Sequence, residues 1–86
     1  MAQTTDAEIK DMVKEYILRE FLPGEDPAQL TDSTPLVTGG ILDSLATLKL
    51  VAFLEDRFRI HLQAHEASVD HLNNITLIAS LVQSKL

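Results

Sequence analysis

The stretch Gly39-Gly40-Ile41-Leu42-Asp43-Ser44-Leu45 is typical of a tight turn that leads into a helix. Glycine adopts backbone angles that are closed to other residues and lets another molecule come close. Asp43 suits the N-cap position, where its carboxylate can accept hydrogen bonds from free backbone N–H groups of the first turn. Ser44 then lies, partly exposed, at the positive end of the helix, where an attached phosphate is electrostatically favoured.

The helix predicted after this turn, residues 44–59, carries apolar side chains on two of its sides. The side expected to face the core contains Thr47, Leu50, Val51, Leu54 and Phe58. The other side contains Leu45, Leu48 and Ala52, with Lys49, Asp56 and Arg59 around them. Isolated exposed leucines are common, so this side is either ordinary surface or a small apolar docking patch beside Ser44.

A first helix is predicted upstream, because Thr5 is followed three residues later by Glu8, which together form a capping box. Apolar side chains then recur on one face of that helix, at Ile9, Met12, Val13, Tyr16 and Ile17. Pro23-Gly24 ends the helix. The connection from there to residue 42 is long for so small a domain, yet it contains Leu30, Leu36, Val37, Ile41 and Leu42. We therefore expect this loop to be pinned on the helices.

The second half of the chain predicts one short and one longer helix. Residues 60–74 form a loop with a short helical turn at 68–72, in which Val69 and Leu72 are expected to fill the bundle. Asn74 is placed to cap a final helix, whose apolar stripe is Ile75, Ile78, Ala79 and Val82, widened by Leu77 and Leu81. The fold class is therefore all-α: a four-helix bundle with longer helices at about 5–22, 44–59 and 75–84, a short helix at 68–72, and a long first loop.

The composition fits one small domain with an aliphatic core, since apolar residues are 45% and aromatic residues 5% of the 86 residues. The chain has no cysteine, so any thiol chemistry must come from a cofactor. No apolar run approaches the ~18 residues of a membrane span, and the N-terminus lacks a signal pattern. We expect a cytoplasmic monomer without membrane insertion. The formal charge of −6 argues against nucleic-acid binding, and it suits either docking onto basic enzymes or simple solubility.

The sequence gives little indication of a catalytic site or of a metal site. A nucleophilic serine needs a nearby base and a group that orients the base, whereas the histidines lie at 61, 65 and 71, in the second half of the chain. His61, His65, Glu66 and His71 could be drawn as a metal site. They fall in a predicted loop, and such a site needs ligands that converge on rigid elements. Solvated or locally hydrogen-bonded histidines are the preferred interpretation.

The segment Gly40-Ile41-Leu42-Asp43-Ser44-Leu45, followed by an amphipathic helix that ends in Phe53-Leu54-Glu55-Asp56-Arg57-Phe58, resembles the acyl and peptidyl carrier proteins. The resemblance covers nearly the whole chain, since helix order, first loop and length also agree. It implies an acyl-carrier-like bundle and a single carrier domain over residues 1–86. It also implies that Ser44, in an Asp-Ser-Leu motif, bears a covalent 4′-phosphopantetheine arm whose thiol holds a substrate as a thioester.

By the same resemblance the protein is a substrate carrier and not an enzyme. Asp43 would position Ser44 and engage the phosphopantetheinyl transferase that attaches the arm. The surface for docking partners would be formed by Leu45, Leu48, Lys49 and Ala52. The partners implied besides the transferase are an adenylating ligase that activates an acyl group or amino acid, and a downstream synthase or tailoring enzyme.

One departure bears on the type of carrier. Fatty-acid carriers are usually rich in acidic residues along the second helix, whereas Glu55 and Asp56 are offset here by Arg57 and Arg59. This favours peptidyl, aminoacyl or D-alanyl carriers. The leading expectation is polyketide or nonribosomal peptide-type biosynthesis, with D-alanyl and fatty-acid carriers as alternatives. The sequence fits a stand-alone protein as well as an excised domain, and it does not identify the cargo.

A function of another class would use the same residues. The chain would then be a helical protein-interaction module that is never modified and that binds through Leu45, Leu48 and Ala52. Ser44 would serve only to start the helix, a position at which serine is common.

Overall fold

Four α-helices build the part of the chain that the structure describes. The computed structural model describes residues 5–86, apart from the side chain of Pro27. The helices are α1 (Asp6–Phe21), α2 (Ser44–Phe58), α3 (Val69–Leu72) and α4 (Ile75–Lys85). Short 3₁₀ helices occur at Pro27–Gln29 and Ala64–Glu66, and the described residues contain no strand. The prediction of an all-α bundle with three longer helices, one short helix and a long first loop is confirmed.

The length and hydropathy of these helices bear on membrane association. Over residues 5–86, none of the helices is both long enough and apolar enough to cross a membrane.

Side-chain caps start α1 and α4 where the sequence predicts them. The Thr5 hydroxyl accepts from the Glu8 N–H at 3.2 Å, and the Glu8 carboxylate accepts from the Thr5 N–H at 3.4 Å. At α4, the Asn74 carbonyl oxygen accepts from the Leu77 N–H at 2.8 Å. Each cap satisfies donors that the helix itself leaves unpaired, so the starts of α1 and α4 are fixed locally.

The apolar stripes of the helices meet in one aliphatic core. In α1 this stripe is fully buried at Ile9, Val13 and Ile17, while Met12 and Tyr16 lie at its edge. The other helices contribute ten further core residues, which are Ala46, Leu50, Leu54, Phe58, Leu72, Ile75, Ile78, Ala79, Leu81 and Val82. The helical periodicity of the sequence therefore identified the buried faces of α1 and α4 and, in α2, the buried Leu50, Leu54 and Phe58. Thr47, which was expected to face the core, is instead half-buried beside Ser44, and Ala46 is buried.

An aromatic contact joins α1 to α2. The Tyr16 and Phe53 rings stack with centroids 4.0 Å apart, and Phe21 packs edge-on against Tyr16 at 5.6 Å. The Tyr16 hydroxyl donates to the Lys49 carbonyl at 3.2 Å. Burial raises the pKa of Tyr16, so the hydroxyl keeps the proton that it donates.

The long first loop belongs to the core rather than lying over it. Leu30, Leu36 and Leu42 are each 4% exposed or less, and Val37 and Ile41 pack against the same cluster. Truncation of one such buried leucine to alanine costs about 2–5 kcal/mol, which far exceeds what a floppy linker would lose. The expectation that the loop is pinned on the bundle is confirmed.

Asp32 ties this loop to two helices. Its carboxylate pairs with Lys14 of α1 at 2.7 Å and with Lys10 at 3.4 Å, and Lys10 also pairs with Asp6. Its backbone carbonyl accepts from the Thr76 N–H at 3.2 Å, in the first turn of α4. The hydrogen bond from Lys14 holds the pKa of the Asp32 carboxyl below its ordinary value. Asp32 therefore fastens the middle of the loop between α1 and α4.

The second loop is fastened to the end of α4. Lys85 pairs with Glu66 at 2.7 Å, and the Glu66 carboxylate also accepts from the Gln63 N–H at 2.9 Å. These contacts, with Lys85 as the larger cause, lower the pKa of Glu66.

One core prediction for α3 was wrong. Leu72 is fully buried as expected, but Val69 is 41% exposed. A helix of four residues has a single turn, and this one turns its last residue to the core and its first toward solvent. Val69 lies instead beside Ser44, as described below.

The Asp32 ion pairs predict a specific pH dependence of stability. Since the pKa of Asp32 is lower in the folded than in the unfolded chain, the pairs stabilise the fold above the unfolded value of 3.8. That stabilisation is lost as the pH falls through the folded value. We expect Asp32→Asn to lower the urea midpoint at pH 7, and the difference from the parent to shrink as the pH falls below 3.8 and through the lowered folded pKa.

Asp11→Asn is the matched control, because Asp11 is an exposed carboxylate on α1. Its substitution removes one negative charge without touching the loop. A midpoint difference for Asp32→Asn that persists unchanged at low pH would show that the ion pairs are not the cause.

Candidate functional site

Ser44 is the first residue of α2, and Asp43 is the N-cap that precedes it. The Asp43 carboxylate accepts from the Ala46 N–H at 2.7 Å, and its backbone carbonyl accepts from the Thr47 N–H at 2.8 Å. The Thr47 hydroxyl donates to that same carbonyl, also at 2.8 Å. Three hydrogen bonds therefore fix the direction in which the chain enters α2.

These bonds leave the open end of the helix at Ser44 and Leu45. Their two N–H groups precede the first intrahelical donors of α2, and the helix dipole adds positive potential there. The Ser44 residue is exposed, and within residues 5–86 its hydroxyl has no hydrogen-bond partner. A free hydroxyl at a helix N-terminus suits attachment to a negatively charged phosphate.

A compact turn over residues 36–42 delivers the chain to this helix end. The Leu42 N–H donates to the Leu36 carbonyl at 2.8 Å, and the Gly40 N–H donates to the Val37 carbonyl at 3.2 Å. Gly40 has a φ of 83°, in the region that glycine tolerates best. A Cβ atom on Gly39 would collide with the Pro35 carbonyl oxygen. The two glycines are therefore required for different reasons, Gly40 by its backbone angle and Gly39 by space.

Asn73, between α3 and α4, holds this turn from outside. Its side-chain oxygen accepts from the N–H groups of Val37 and Thr38, each at 3.0 Å, and from the Thr38 hydroxyl at 3.3 Å. Its backbone carbonyl accepts from the Leu36 N–H at 2.6 Å. Sequence reasoning missed Asn73, because the partners lie about 35 positions away in the chain and leave no local pattern.

Apolar side chains flank Ser44 on two sides. One groove runs between α2 and α3 and is lined by Val37, Leu42, Thr47, Leu48 and Val69. The other runs toward the end of α1 and is mixed, since Phe21, Ile41, Leu45 and Ala46 line it together with the charged Glu20, Asp43 and Lys49. The exposed fraction is 62% for Leu45 and 66% for Leu48. Val69, which was expected in the core, thus extends the apolar surface beside Leu48.

The charge around this surface is nearly balanced. Glu55 is turned away from it, because its carboxylate accepts from the Leu62 N–H at 2.9 Å and lies 3.5 Å from His61 Nδ1. Lys49 and Ala52 are exposed on α2. Of the two acidic residues of α2, only Asp56 is left free of such contacts, so the exposed side of the helix has little net negative charge.

The histidines do not assemble a second site in the described residues. Over 5–86 there is no group of three or more His, Asp or Glu side chains that could hold a metal ion. The imidazole of His61 is 79% exposed and lies beside Glu55. Within the same range, none of the histidines forms a hydrogen bond with Ser44.

Comparison with known proteins identifies relatives of the chain. It is similar to the D-alanyl carrier proteins of Streptococcus pyogenes serotype M5 (strain Manfredo), serotype M49 (strain NZ131) and serotype M1. Each is 35% identical over 75 residues, which cover 87% of this chain and 91% of the relative. No protein-family model matches the chain.

The glycine geometry makes a testable prediction about the turn. We expect Gly40→Ala to lower the free energy of unfolding by about 1 kcal/mol, since alanine is strained at a positive φ. Gly39→Ala should cost more, because the collision with the Pro35 carbonyl forces backbone to move. Urea unfolding of each variant measures both effects.

Gly24→Ala is the control for backbone strain alone. Gly24 has a φ of 85° and open space around it, but it lies at the end of α1, away from the turn. Its substitution should match Gly40→Ala in stability. If Gly39→Ala were as stable as the parent, the close approach to Pro35 would be disproved.

Proposed function

Since the chain belongs to the carrier protein family, we propose that Ser44 bears a 4′-phosphopantetheine arm and that the protein presents an aminoacyl group to partner enzymes. Carrier proteins are substrate carriers and not enzymes. The observation that carries the proposal is the exposed Ser44 hydroxyl, unpartnered in the described residues, at the N-terminus of α2.

The residues around Ser44 fit such a group. Its oxygen would form the bond to the phosphate, whose negative charge meets the N–H groups of Ser44 and Leu45 at the positive end of α2. Asp43 uses its carboxylate to cap the helix, so it fixes the backbone from which the Ser44 side chain projects. When bound, the arm supplies the terminal thiol that holds an acyl group as a thioester. The protein has no cysteine that would compete with this thiol.

The cargo is proposed to be an amino acid. The relatives are named D-alanyl carrier proteins, so D-alanine is the first cargo to test. The weakly charged exposed side of α2 supports an aminoacyl carrier over a fatty-acid carrier. Carriage of another amino acid or acyl group in a polyketide or nonribosomal peptide-type pathway is the alternative within the same proposal.

Three kinds of partner follow from this function. A phosphopantetheinyl transferase attaches the arm, an adenylating ligase loads the amino acid, and a downstream synthase or tailoring enzyme receives it. We propose that they meet in the cytoplasm and dock on a surface formed by Leu45, Leu48, Lys49 and Ala52, all exposed on α2. Its leucines would supply most of the binding energy, because the surrounding charge is nearly balanced.

The first test is the intact mass of the protein after incubation with coenzyme A, magnesium and a broad-specificity phosphopantetheinyl transferase. The parent chain should gain one phosphopantetheine, because Ser44 is exposed and free to react. Ser44→Ala should gain none. Ser80→Ala, which removes an exposed serine on α4, is the matched control and should gain the arm like the parent.

A folded parent that gains no mass would refute the carrier function. Retained binding of a partner by Ser44→Ala would then support the unmodified interaction module. After successful modification, loading with D-alanine, ATP and a D-alanine-activating ligase would distinguish the two proposed types of cargo.

Leu48→Ala tests the docking surface. Because the Leu48 side chain is 66% exposed, its loss should change the free energy of unfolding by less than about 0.5 kcal/mol. If it packs into the transferase or ligase, the KM of that enzyme for the carrier should rise about tenfold, which corresponds to about 1.4 kcal/mol of binding.

Leu86→Ala is the control, since Leu86 is 57% exposed at the end of α4. Equal KM values for Leu48→Ala, Leu86→Ala and the parent would show that Leu48 is not part of the docking surface.

A further inference from the structure

Asn73 is connected to Ser44 through a short series of hydrogen bonds. The side-chain oxygen of Asn73 accepts from two backbone N–H groups and one hydroxyl of residues 37–38, at 3.0, 3.0 and 3.3 Å. Its backbone carbonyl accepts from the Leu36 N–H. Leu36 in turn accepts from the Leu42 N–H at 2.8 Å, and Leu42 directly precedes the N-cap Asp43. The hydrogen bond between Leu36 and Leu42 therefore closes the turn before Ser44, and Asn73 holds residues 36–38 of that turn.

Asn73 is itself held rigidly. It is the C-cap of α3, where its N–H donates to the Val69 carbonyl at 3.1 Å, and the next residue, Asn74, caps α4. It thus connects the loop that leads to Ser44 with two helices whose residues Leu72 and Ile75 are fully buried. The Asn73 side chain is half-buried, and the three donors from which its oxygen accepts all belong to the turn that leads to Ser44. These hydrogen bonds therefore satisfy the amide oxygen and also hold the turn.

We infer that Asn73 is a positioning residue for the modification of Ser44, an inference that rests on the proposed function. By accepting three hydrogen bonds from residues 37–38, it keeps the 36–42 turn in the conformation that a transferase must recognise. Within residues 5–86, Asn73 forms no hydrogen bond with Ser44. It acts only through the turn.

Loss of the Asn73 oxygen should lower the fraction of molecules in the competent conformation. A partner that binds only that fraction has an apparent dissociation constant raised by the inverse of the fraction. Each lost hydrogen bond contributes a modest amount, and together they correspond to about a tenfold change in an equilibrium. The effect should therefore appear in the KM of the transferase for the carrier, with kcat nearly unchanged.

The chain offers a matched control at the adjacent position. Asn73→Ala removes the acceptor that holds the turn, whereas Asn74→Ala removes the cap of α4 and leaves the turn contacts in place. The variants are compared in transferase kinetics with coenzyme A, in urea unfolding, and in amide hydrogen exchange at Val37 and Thr38. Asn73→Asp retains an acceptor oxygen at the same place, beside the N-terminus of α4, where negative charge is favoured.

We expect Asn73→Ala to raise the KM about tenfold and to speed exchange at Val37 and Thr38 by a similar factor. Asn74→Ala should stay within about twofold of the parent in both the KM and the exchange rates, even if its urea midpoint falls as far as that of Asn73→Ala. Asn73→Asp should restore the KM to within about threefold. Thr38→Val, which deletes one of the three donors from the other side, should raise the KM about twofold and does not require an Asn73 variant to fold.

Other outcomes would overturn the inference. If Asn73→Ala and Asn74→Ala changed the KM equally, Asn73 would act only through stability. If kcat fell while the KM stayed constant, the turn would not be the recognised element. A parent chain that is not modified at all would instead refute the proposed function, and the inference would fall with it.

Discussion

The attachment of the first loop to the junction of α3 and α4 is the constraint on which the position of Ser44 depends. A connection of this length loses much conformational entropy when it is ordered. Buried leucines at positions 30, 36 and 42 offset that cost, and they set how deeply the loop lies in the bundle. The polar contacts of Asp32 and Asn73 then set its direction. Apolar burial is not directional, so both kinds of contact are needed to place a helix end accurately.

The helix that begins at Ser44 serves two opposite requirements. Its inner side must bury Leu50 and Leu54 completely, and it is fixed on α1 by the stacking of Phe53 on Tyr16. Its outer side keeps Leu45 and Leu48 in solvent, at a cost in hydration that the fold does not recover. A protein–protein contact would recover it. The exposed leucines therefore support the proposed docking surface, which the buried inner side of α2 holds against the core.

Local sequence patterns predicted the helices, whereas contacts between residues that are distant in the chain could not be predicted from the sequence. The capping box at Thr5, the cap at Asn74 and the stripe of α1 are contained within a few residues, so they could be read from the sequence. Val69 was misplaced, because a single helical turn has no periodicity to show which residue faces inward. Asn73 was missed because its donors come from a distant loop. Ser44 itself was found by its motif, and its role there remains a prediction that the mass experiment tests.

The ion pairs of the lysines have a consequence for the chemical lifetime of a carried amino acid. Thioesters are attacked by free amines and thiols, and a carrier that offered either would acylate itself. Lys10, Lys14 and Lys85 are engaged with carboxylates, and the hydrogen bond with Asp6 raises the pKa of Lys10, which keeps it a non-nucleophilic ammonium. The chain has no cysteine, and the remaining lysine, Lys49, is exposed on α2 in the groove beside Leu45. An aminoacyl group held on an arm at Ser44 would therefore find Lys49, and not the three paired lysines, as the lysine free to accept it if no partner enzyme takes the group first.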